Sequence, residues 1–243
     1  MTHQALLVFI YALITALTTG LGALPFAFVR TVSPTMVAYA NAIASGLMMG
    51  ASFGLVAEGT GYGATQTVAG GVIGVLFILA TQRYLEGHDI EFGGMTGAGA
   101  RQMILMVVVM TVHSFSEGVA VGVAFGGGMA LATVITVAIA VHNIPEGLAI
   151  SAVLRPRGRR VLQCAGWSVF SSLPQPLMAV PAFWFVEAVR PALPYGLGFA
   201  AGAMMFMVLV ELLPEAFEQA KKPAVATLAS GSLVAMVIFQ QFI

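Results

Sequence analysis

The chain has 243 residues, of which 59% are hydrophobic and 8% charged, and its formal net charge is zero. A soluble domain carries about 25% charged residues, so this composition excludes an ordinary water-soluble fold, and the balanced charge gives no basis for nucleic-acid binding. The apolar runs are continuous and about 20 residues long, which excludes a β-barrel and fits membrane-crossing helices. We therefore predict an all-α integral membrane protein whose main partner is the lipid bilayer.

The apolar runs, separated by turn signals, predict eight transmembrane helices in one domain that covers residues 1–243. The first run has neither the basic start nor the small-residue cleavage site of a secretory signal, so we treat it as a retained span. The predicted spans are residues 5–28, 36–57, 66–85, 103–125, 130–154, 163–186, 195–213 and 224–243.

The basic residues are distributed unevenly among the predicted loops. Only Arg190 lies in an even loop, and the other nine of the ten Lys and Arg residues lie in or beside the odd loops. Basic residues are retained on the cytoplasmic side, so we expect the odd loops in the cytoplasm and both termini outside it. The nine are Arg30, Arg83, Arg101, Arg155, Arg157, Arg159, Arg160, Lys221 and Lys222.

The fourth and fifth predicted spans each contain a histidine and a glutamate four residues apart, in the sequences HSFSEG and HNIPEG. Residues four apart lie on one face of a helix, so His113 pairs with Glu117, and His142 with Glu146. His113 is expected about 15 Å inside the membrane. An ionisable group at that depth costs at least about 2.5 kcal/mol, so four of them predict a bound ion or a polar network.

The connection GGGMA between these spans is so short that the two helices are expected to be antiparallel neighbours, with both His/Glu faces at one depth. Two imidazoles and two carboxylates suit Zn²⁺, and Fe²⁺, Mn²⁺, Co²⁺ and Cd²⁺ compete for the same donors. A purely structural hydrogen-bonded cluster is the alternative interpretation. The duplication of the HxxxEG pattern favours a metal site.

The paired motifs resemble those of the ZIP (Zrt/Irt-like) family of metal transporters. The resemblance extends to GLMMGASFG in the second span, SLPQP in the sixth and FAAGAMMFMVLVELLPEAF in the seventh. It implies a transporter, not an enzyme, that moves divalent transition metals, chiefly zinc, toward the cytoplasm through a site between the fourth and fifth spans. We also expect a multi-pass protein of the plasma or inner membrane with no resident cofactor, and a homodimer is left open.

When the family's site residues are matched by motif, the resemblance assigns His113, His142 and Glu146 to the primary metal site, with Glu117 and Asn143 beside them. These five residues are the predicted metal-binding set.

Met48, Ser114 and Gln175 are further candidate metal contacts. Met48 offers a thioether from the second span, although a methionine in an apolar span is usually core filler. The positions of Ser114, Asn143 and Gln175 carry stronger ligands in many relatives, where they complete a second metal site. Ser114, Asn143 and Gln175 are all uncharged in this chain, so we expect any second metal site to be weak.

Three carboxylates outside the central motifs are candidate relay residues for the ion. Glu211 and Glu215 are four apart near the end of the seventh span, and Glu58 lies near the outer end of the second. For Glu211 and Glu215 the sequence favours the plainer interpretation, interfacial carboxylates paired with Lys221 and Lys222.

Two other classes of function compete with transport. An intramembrane zinc hydrolase would use a zinc-bound water, but such enzymes place HExxH on one helix, and this chain has HSxxE and HNxxE. A metal-gated channel or receptor would bind the ion without carrying it. Metal flux into sealed vesicles distinguishes these classes.

Overall fold

The computed structural model describes residues 2–29, 31, 33–86, 98–155 and 157–242. For residues 2, 84–86, 98–110, 112 and 113 it describes the backbone only. All regular secondary structure in these ranges is helical, and the all-α prediction is confirmed.

Nine α-helices and three short helical segments of other types follow one another in the described part of the chain. The α-helices are α1 (Thr2–Thr19), α2 (Pro34–Glu86), α3 (Ala98–Gly127), α4 (Met129–Leu154), α5 (Val161–Ser172), α6 (Pro174–Ala188), α7 (Leu193–Met207), α8 (Leu213–Gln219) and α9 (Lys222–Phe239). The 3₁₀ segments are Gly20–Ala27 and Arg190–Ala192, and a π-helical segment is Val208–Leu212.

The described helices are built to lie in lipid. Six segments among the described residues are long and apolar enough to cross a membrane. Large apolar side chains also cover the outer surface; Leu162 is 82% exposed and Leu177 66% exposed. Such a surface is stable only in an apolar medium, so the protein is a multi-pass integral membrane protein. The six segments are His3–Ala27, Pro34–Arg83, Met129–Leu154, Val161–Ala188, Arg190–Gln219 and Lys222–Phe239.

Helix α2 differs from the sequence prediction, which placed a loop between residues 57 and 66. The chain is helical throughout this stretch except at Gly63, whose extended backbone (φ 173°, ψ 107°) produces a kink. The predicted second loop is thus a single non-helical residue within a 53-residue helical segment. The predicted third loop includes residues 87–97, which lie outside the described residues.

The predicted sixth and seventh spans are also interrupted. The sixth is divided at Leu173 into α5 and α6, because Pro174 has no N–H to continue the hydrogen-bond ladder. The seventh passes through the π-helical segment between α7 and α8, and Glu211 lies in that segment.

The core joins helices from both halves of the chain. Helix α2 packs mainly on α7 and α9, α3 on α6, and α1 on α4 and α6. The main apolar cluster fills the space between these helices. Its members include Val8, Met48, Leu55, Val121, Ile139, Phe183 and Leu197.

Candidate metal site

The site begins with the turn between α3 and α4, which consists of Gly128 alone. Its φ of +118° lies in a region that side-chain-bearing residues rarely adopt. This one-residue turn folds α4 back against α3, so that Glu117 of α3 meets His142 of α4. The predicted convergence of the two motif-bearing faces is therefore observed for these two residues.

Three side chains converge in the interior. The candidate ligand atoms of Glu117, His142 and Glu146 all lie within 4.8 Å of one another. Glu117 and His142 are fully buried, and Glu146 is 3% exposed. Buried carboxylates and an imidazole at this spacing form a donor set suited to a borderline divalent ion.

The imidazole of His142 is oriented by contacts on both nitrogens. Nδ1 lies 3.1 Å from the carbonyl oxygen of Ala138, to which it can donate a hydrogen bond. Nε2 lies 2.5 Å from Oε1 of Glu117. A carbonyl partner on Nδ1 fixes the proton there and leaves Nε2 as the atom that can bind a metal.

A metal ion would have to separate His142 from Glu117. Two ligand atoms bound to one tetrahedral zinc at about 2.0 Å are about 3.3 Å apart, whereas these atoms are 2.5 Å apart and share a hydrogen bond. An entering ion would therefore replace the proton that joins Nε2 and Oε1. The observed contact places the two atoms where small side-chain movements can receive the ion.

The second carboxylate oxygen of Glu117 is held from α6. Nε2 of Gln175 donates to Oε2 of Glu117 at 2.5 Å. Oε1 of Gln175 accepts from the hydroxyl of Thr15 at 2.6 Å and from the Nδ2 of Asn143 at 3.3 Å. Asn143 also donates to the carbonyl of Thr15 at 2.8 Å. The candidate site therefore includes α1 as well as α3, α4 and α6.

Thr15 is the residue that the sequence analysis missed. A threonine in an apolar span carries no distinctive signal, because its hydroxyl usually bonds to the preceding helical turn, and Thr15 does approach the carbonyl of Ala12 at 2.7 Å. Its contact with Gln175 joins positions 160 residues apart. Only the packing of α1 against α6 reveals it.

The glycines that follow the two glutamates allow this close assembly. A Cβ atom on Gly118 would lie 2.8 Å from the Cα of Gln175, and a Cβ on Gly147 would overlap the carbonyl of Thr19. Gly118 thus lets α6 approach Glu117, and Gly147 lets the end of α1 approach α4.

The other predicted site residues occupy distinct environments. The backbone of His113 lies in α3, one turn before Glu117, and its side chain lies outside the described residues. Ser114 Oγ and Asn143 Oδ1 are buried and accept no hydrogen bond from the described part of the chain. Met48 is fully buried in the main apolar cluster with Val121 and Ala138. A metal contact by Ser114 or Met48 stays a prediction.

The candidate relay residues Glu211 and Glu215 contact α2. Gln82 donates to Glu211 at 3.1 Å, and Asn41 donates to Glu215 at 3.4 Å. Gln219 donates to the other oxygen of Glu215 at 3.1 Å. The hydrogen bonds described for these carboxylates thus come from carboxamides, and not from Lys221 or Lys222 as the sequence had favoured.

Glu58 lies near the end of the protein that carries the α3–α4 turn. It is half-buried and lies beside the hydroxyl of Tyr62. Tyr62, Glu187 and Arg190 line a hollow beside Gly128, where Arg190 pairs with Glu187 at 2.7 Å and donates to the carbonyl of Gly126 at 2.9 Å. The structure therefore places Glu58 in a polar region apart from the central trio.

Comparison with known proteins gives this geometry a family context. The sequence profile of a family described as ZIP Zinc transporter matches residues 94–239, which is more than half of the chain and includes both motifs. The chain belongs to the ZIP family. ZIP proteins are transporters and not enzymes, so the resemblance seen in the HSFSEG and HNIPEG motifs is confirmed.

Individual relatives extend the match along most of the chain. A provisionally named zinc transporter of Arabidopsis thaliana is 43% identical over 99% of this chain, which spans 40% of that protein's length. The zinc transporter GufA of Myxococcus xanthus is 29% identical, with 93% of this chain and 95% of the relative covered. The zinc transporter ZupT of Stenotrophomonas maltophilia is 32% identical, with 84% of each chain covered.

Proposed function

We propose that this ZIP protein carries a divalent transition metal, most readily Zn²⁺, across the membrane toward the cytoplasm. The observation that carries the proposal is the buried trio of Glu117, His142 and Glu146, with candidate ligand atoms within 4.8 Å of one another. Isolated ionisable groups are costly inside a membrane protein, and such groups mark ion pathways. The names of three relatives as zinc transporters support zinc as the cargo.

The proposed ligand set is the trio together with His113. Helical spacing puts His113 on the same face of α3 as Glu117, from which it can supply a second imidazole. Two carboxylates neutralise one divalent ion, and two imidazole nitrogens complete four-coordination. The metal is cargo, and no resident cofactor is required.

The proposed topology has eight membrane crossings. The kink at Gly63 divides α2 into parts of about 43 Å and about 34 Å at 1.5 Å per residue, each long enough to cross the ~30 Å hydrocarbon core. Helices α5 and α6 together make one crossing, as do α7, the π-helical segment and α8. With α1, α3, α4 and α9 the total is eight, so both termini lie on one side.

The proposed orientation places both termini outside the cytoplasm. Nine of ten basic residues lie in or beside the odd loops, and the run from Arg155 to Arg160 in the fifth loop holds four of them. Such residues are retained on the cytoplasmic side. The hollow near Gly128 then faces outward, and the basic loop faces the side to which the metal is delivered.

Metal flux tests the proposal. The purified chain is reconstituted into sealed vesicles that contain a zinc-sensitive dye, and Zn²⁺ is added outside. We expect a saturable signal that protein-free vesicles lack. Binding of zinc without any flux would contradict transport and favour a receptor. Hydrolysis of a membrane-embedded peptide would instead indicate an enzyme.

A further inference from the structure

The carboxamide of Gln175 is hydrogen-bonded to other protein groups through both its nitrogen and its oxygen. Its nitrogen donates to Oε2 of Glu117, and its oxygen accepts from Thr15 and Asn143. All four side chains are fully buried. A carbonyl oxygen has two lone pairs, so the atom of Gln175 that could bind a metal is already satisfied. Gln175 is thus placed to hold Glu117 and not to bind the ion itself.

The orientation of this amide follows from Asn143. The Nδ2 of Asn143 can only donate, so it requires the oxygen side of the Gln175 amide, and the nitrogen side then faces Oε2 of Glu117. The hydroxyl of Thr15 points its proton at the same oxygen of Gln175 instead of at the carbonyl of Ala12. Asn143 and Thr15 therefore hold Gln175, and Gln175 holds Glu117.

This arrangement limits how Glu117 can bind an ion. Oε2 is held by Gln175 while Oε1 points to Nε2 of His142. Oε2 keeps a lone pair, but its hydrogen bond to Gln175 fixes the direction of the carboxylate. Oε1 is therefore the oxygen presented to an ion bound at Nε2 of His142, and coordination through this one oxygen keeps the number of ligands low. Zn²⁺ accepts four ligands, whereas Mn²⁺ prefers six ligands rich in oxygen.

We propose that Gln175 is a positioning residue that restricts Glu117 to one-oxygen coordination and so favours four-coordinate Zn²⁺ over Mn²⁺. The proposal rests on the metal site assigned under the proposed function. It adds a specificity determinant on α6 and a supporting hydroxyl, Thr15, on α1. Neither residue contacts the ion in this assignment.

The test replaces Gln175 by methionine, which has a similar volume and no hydrogen-bond donor. Zinc affinity of the purified full chain is measured by equilibrium dialysis, with Mn²⁺ as competitor. Loss of a group that orients a metal ligand typically costs 10- to 100-fold in affinity. We expect Gln175→Met to weaken zinc binding by about tenfold and to raise the relative affinity for Mn²⁺ by about tenfold, because Glu117 can then use both oxygens.

Thr15 supplies a second, milder pair of variants. Thr15→Val removes the hydroxyl at nearly constant volume, and Thr15→Ser keeps it. We expect Thr15→Val to shift the Mn²⁺ to Zn²⁺ ratio in the same direction as Gln175→Met, and Thr15→Ser to retain the wild-type ratio. The control is Gln240→Met, since Gln240 also donates across a helix contact, to the carbonyl of Gly50 at 3.0 Å.

The outcomes separate this proposal from the proposed function. An unchanged ratio of Mn²⁺ to Zn²⁺ affinity in folded Gln175→Met and Thr15→Val proteins overturns the positioning role. An equal shift in Gln240→Met also overturns it, because the effect would then be general. Wild-type protein that binds zinc without moving it overturns transport alone, and the affinity ratios still decide the role of Gln175. Absence of zinc binding by the wild-type protein overturns both the proposed transport and the positioning role of Gln175.

Discussion

Glu117 and His142 lie on different helices, yet Oε1 of Glu117 is 2.5 Å from Nε2 of His142. The short α3–α4 turn sets the level at which these residues meet. Gly118 and Gly147 then allow α6 and α1 to close around them. The metal chemistry of the site thus depends on helix packing as much as on the ligands themselves.

The packing of α1 on α4 gives a prediction about stability. Gly147→Ala would place a methyl group against the carbonyl of Thr19, and we expect a loss of about 1–3 kcal/mol in the free energy of unfolding. Gly166→Ala is the matched control, because nothing lies within 4 Å of a Cβ at that helical position. It should be neutral or stabilising by up to about 1 kcal/mol.

Thermal unfolding in one detergent compares the two variants. A lower midpoint for Gly147→Ala together with an unchanged or higher midpoint for Gly166→Ala supports the close contact between α1 and α4. Equal midpoints for both variants would show that the α1–α4 contact is looser than the structure indicates.

The orientation of the basic loop gives a second prediction. Gly158 is unsuitable for a probe because its φ is +83°, so we choose the exposed Arg157. Arg157→Cys, in a chain where the buried Cys164 is replaced by alanine, should react with an impermeant thiol reagent only after the membrane is opened. Reaction in intact cells would show that the topology is inverted.

The number of ions bound at once gives a third prediction. Glu117 and Glu146 supply two negative charges, enough for one divalent ion, and two nearby ions would repel strongly in a low-dielectric site. Gln175 adds no charge, and its oxygen already accepts two hydrogen bonds. We therefore expect one tightly bound metal per chain, with any second ion weak.

Metal quantification at low free zinc measures this ratio. Gln175→Glu should strengthen a second site, because it brings a third carboxylate beside Glu117. The single-ion account would be wrong if the wild-type chain held two equally occupied ions, or if Gln175→Glu left the second site unchanged.

The sequence predicted the centre of the site more completely than its surroundings. The four-residue spacing of His and Glu on two adjacent helices was enough to place Glu117, His142 and Glu146 together. Helical periodicity determines which face of each helix carries these side chains, and the short connection brings them to the same depth. The contact between Thr15 and Gln175 depends on long-range packing, for which one sequence carries no local signal.

The fold, like the site, was predicted from the sequence only in part. Helical character and most span boundaries follow from apolar runs, whereas the kink at Gly63 and the π-helical segment at Glu211 do not. Gly63 has the appearance of a loop residue, but the chain on both sides of it remains helical. Local composition cannot distinguish these cases, because the surrounding helices decide how a break is accommodated.

In the proposed mechanism, zinc crosses the membrane through Glu117, His142 and Glu146. The decisive measurement is initial zinc uptake into sealed vesicles by His142→Ala and Glu146→Ala, corrected for reconstituted protein. We predict at least a tenfold loss in each, which corresponds to about 1.4 kcal/mol, while Glu187→Gln, outside the trio, stays within about twofold of wild type. Near-normal uptake by properly inserted His142→Ala or Glu146→Ala would contradict the account.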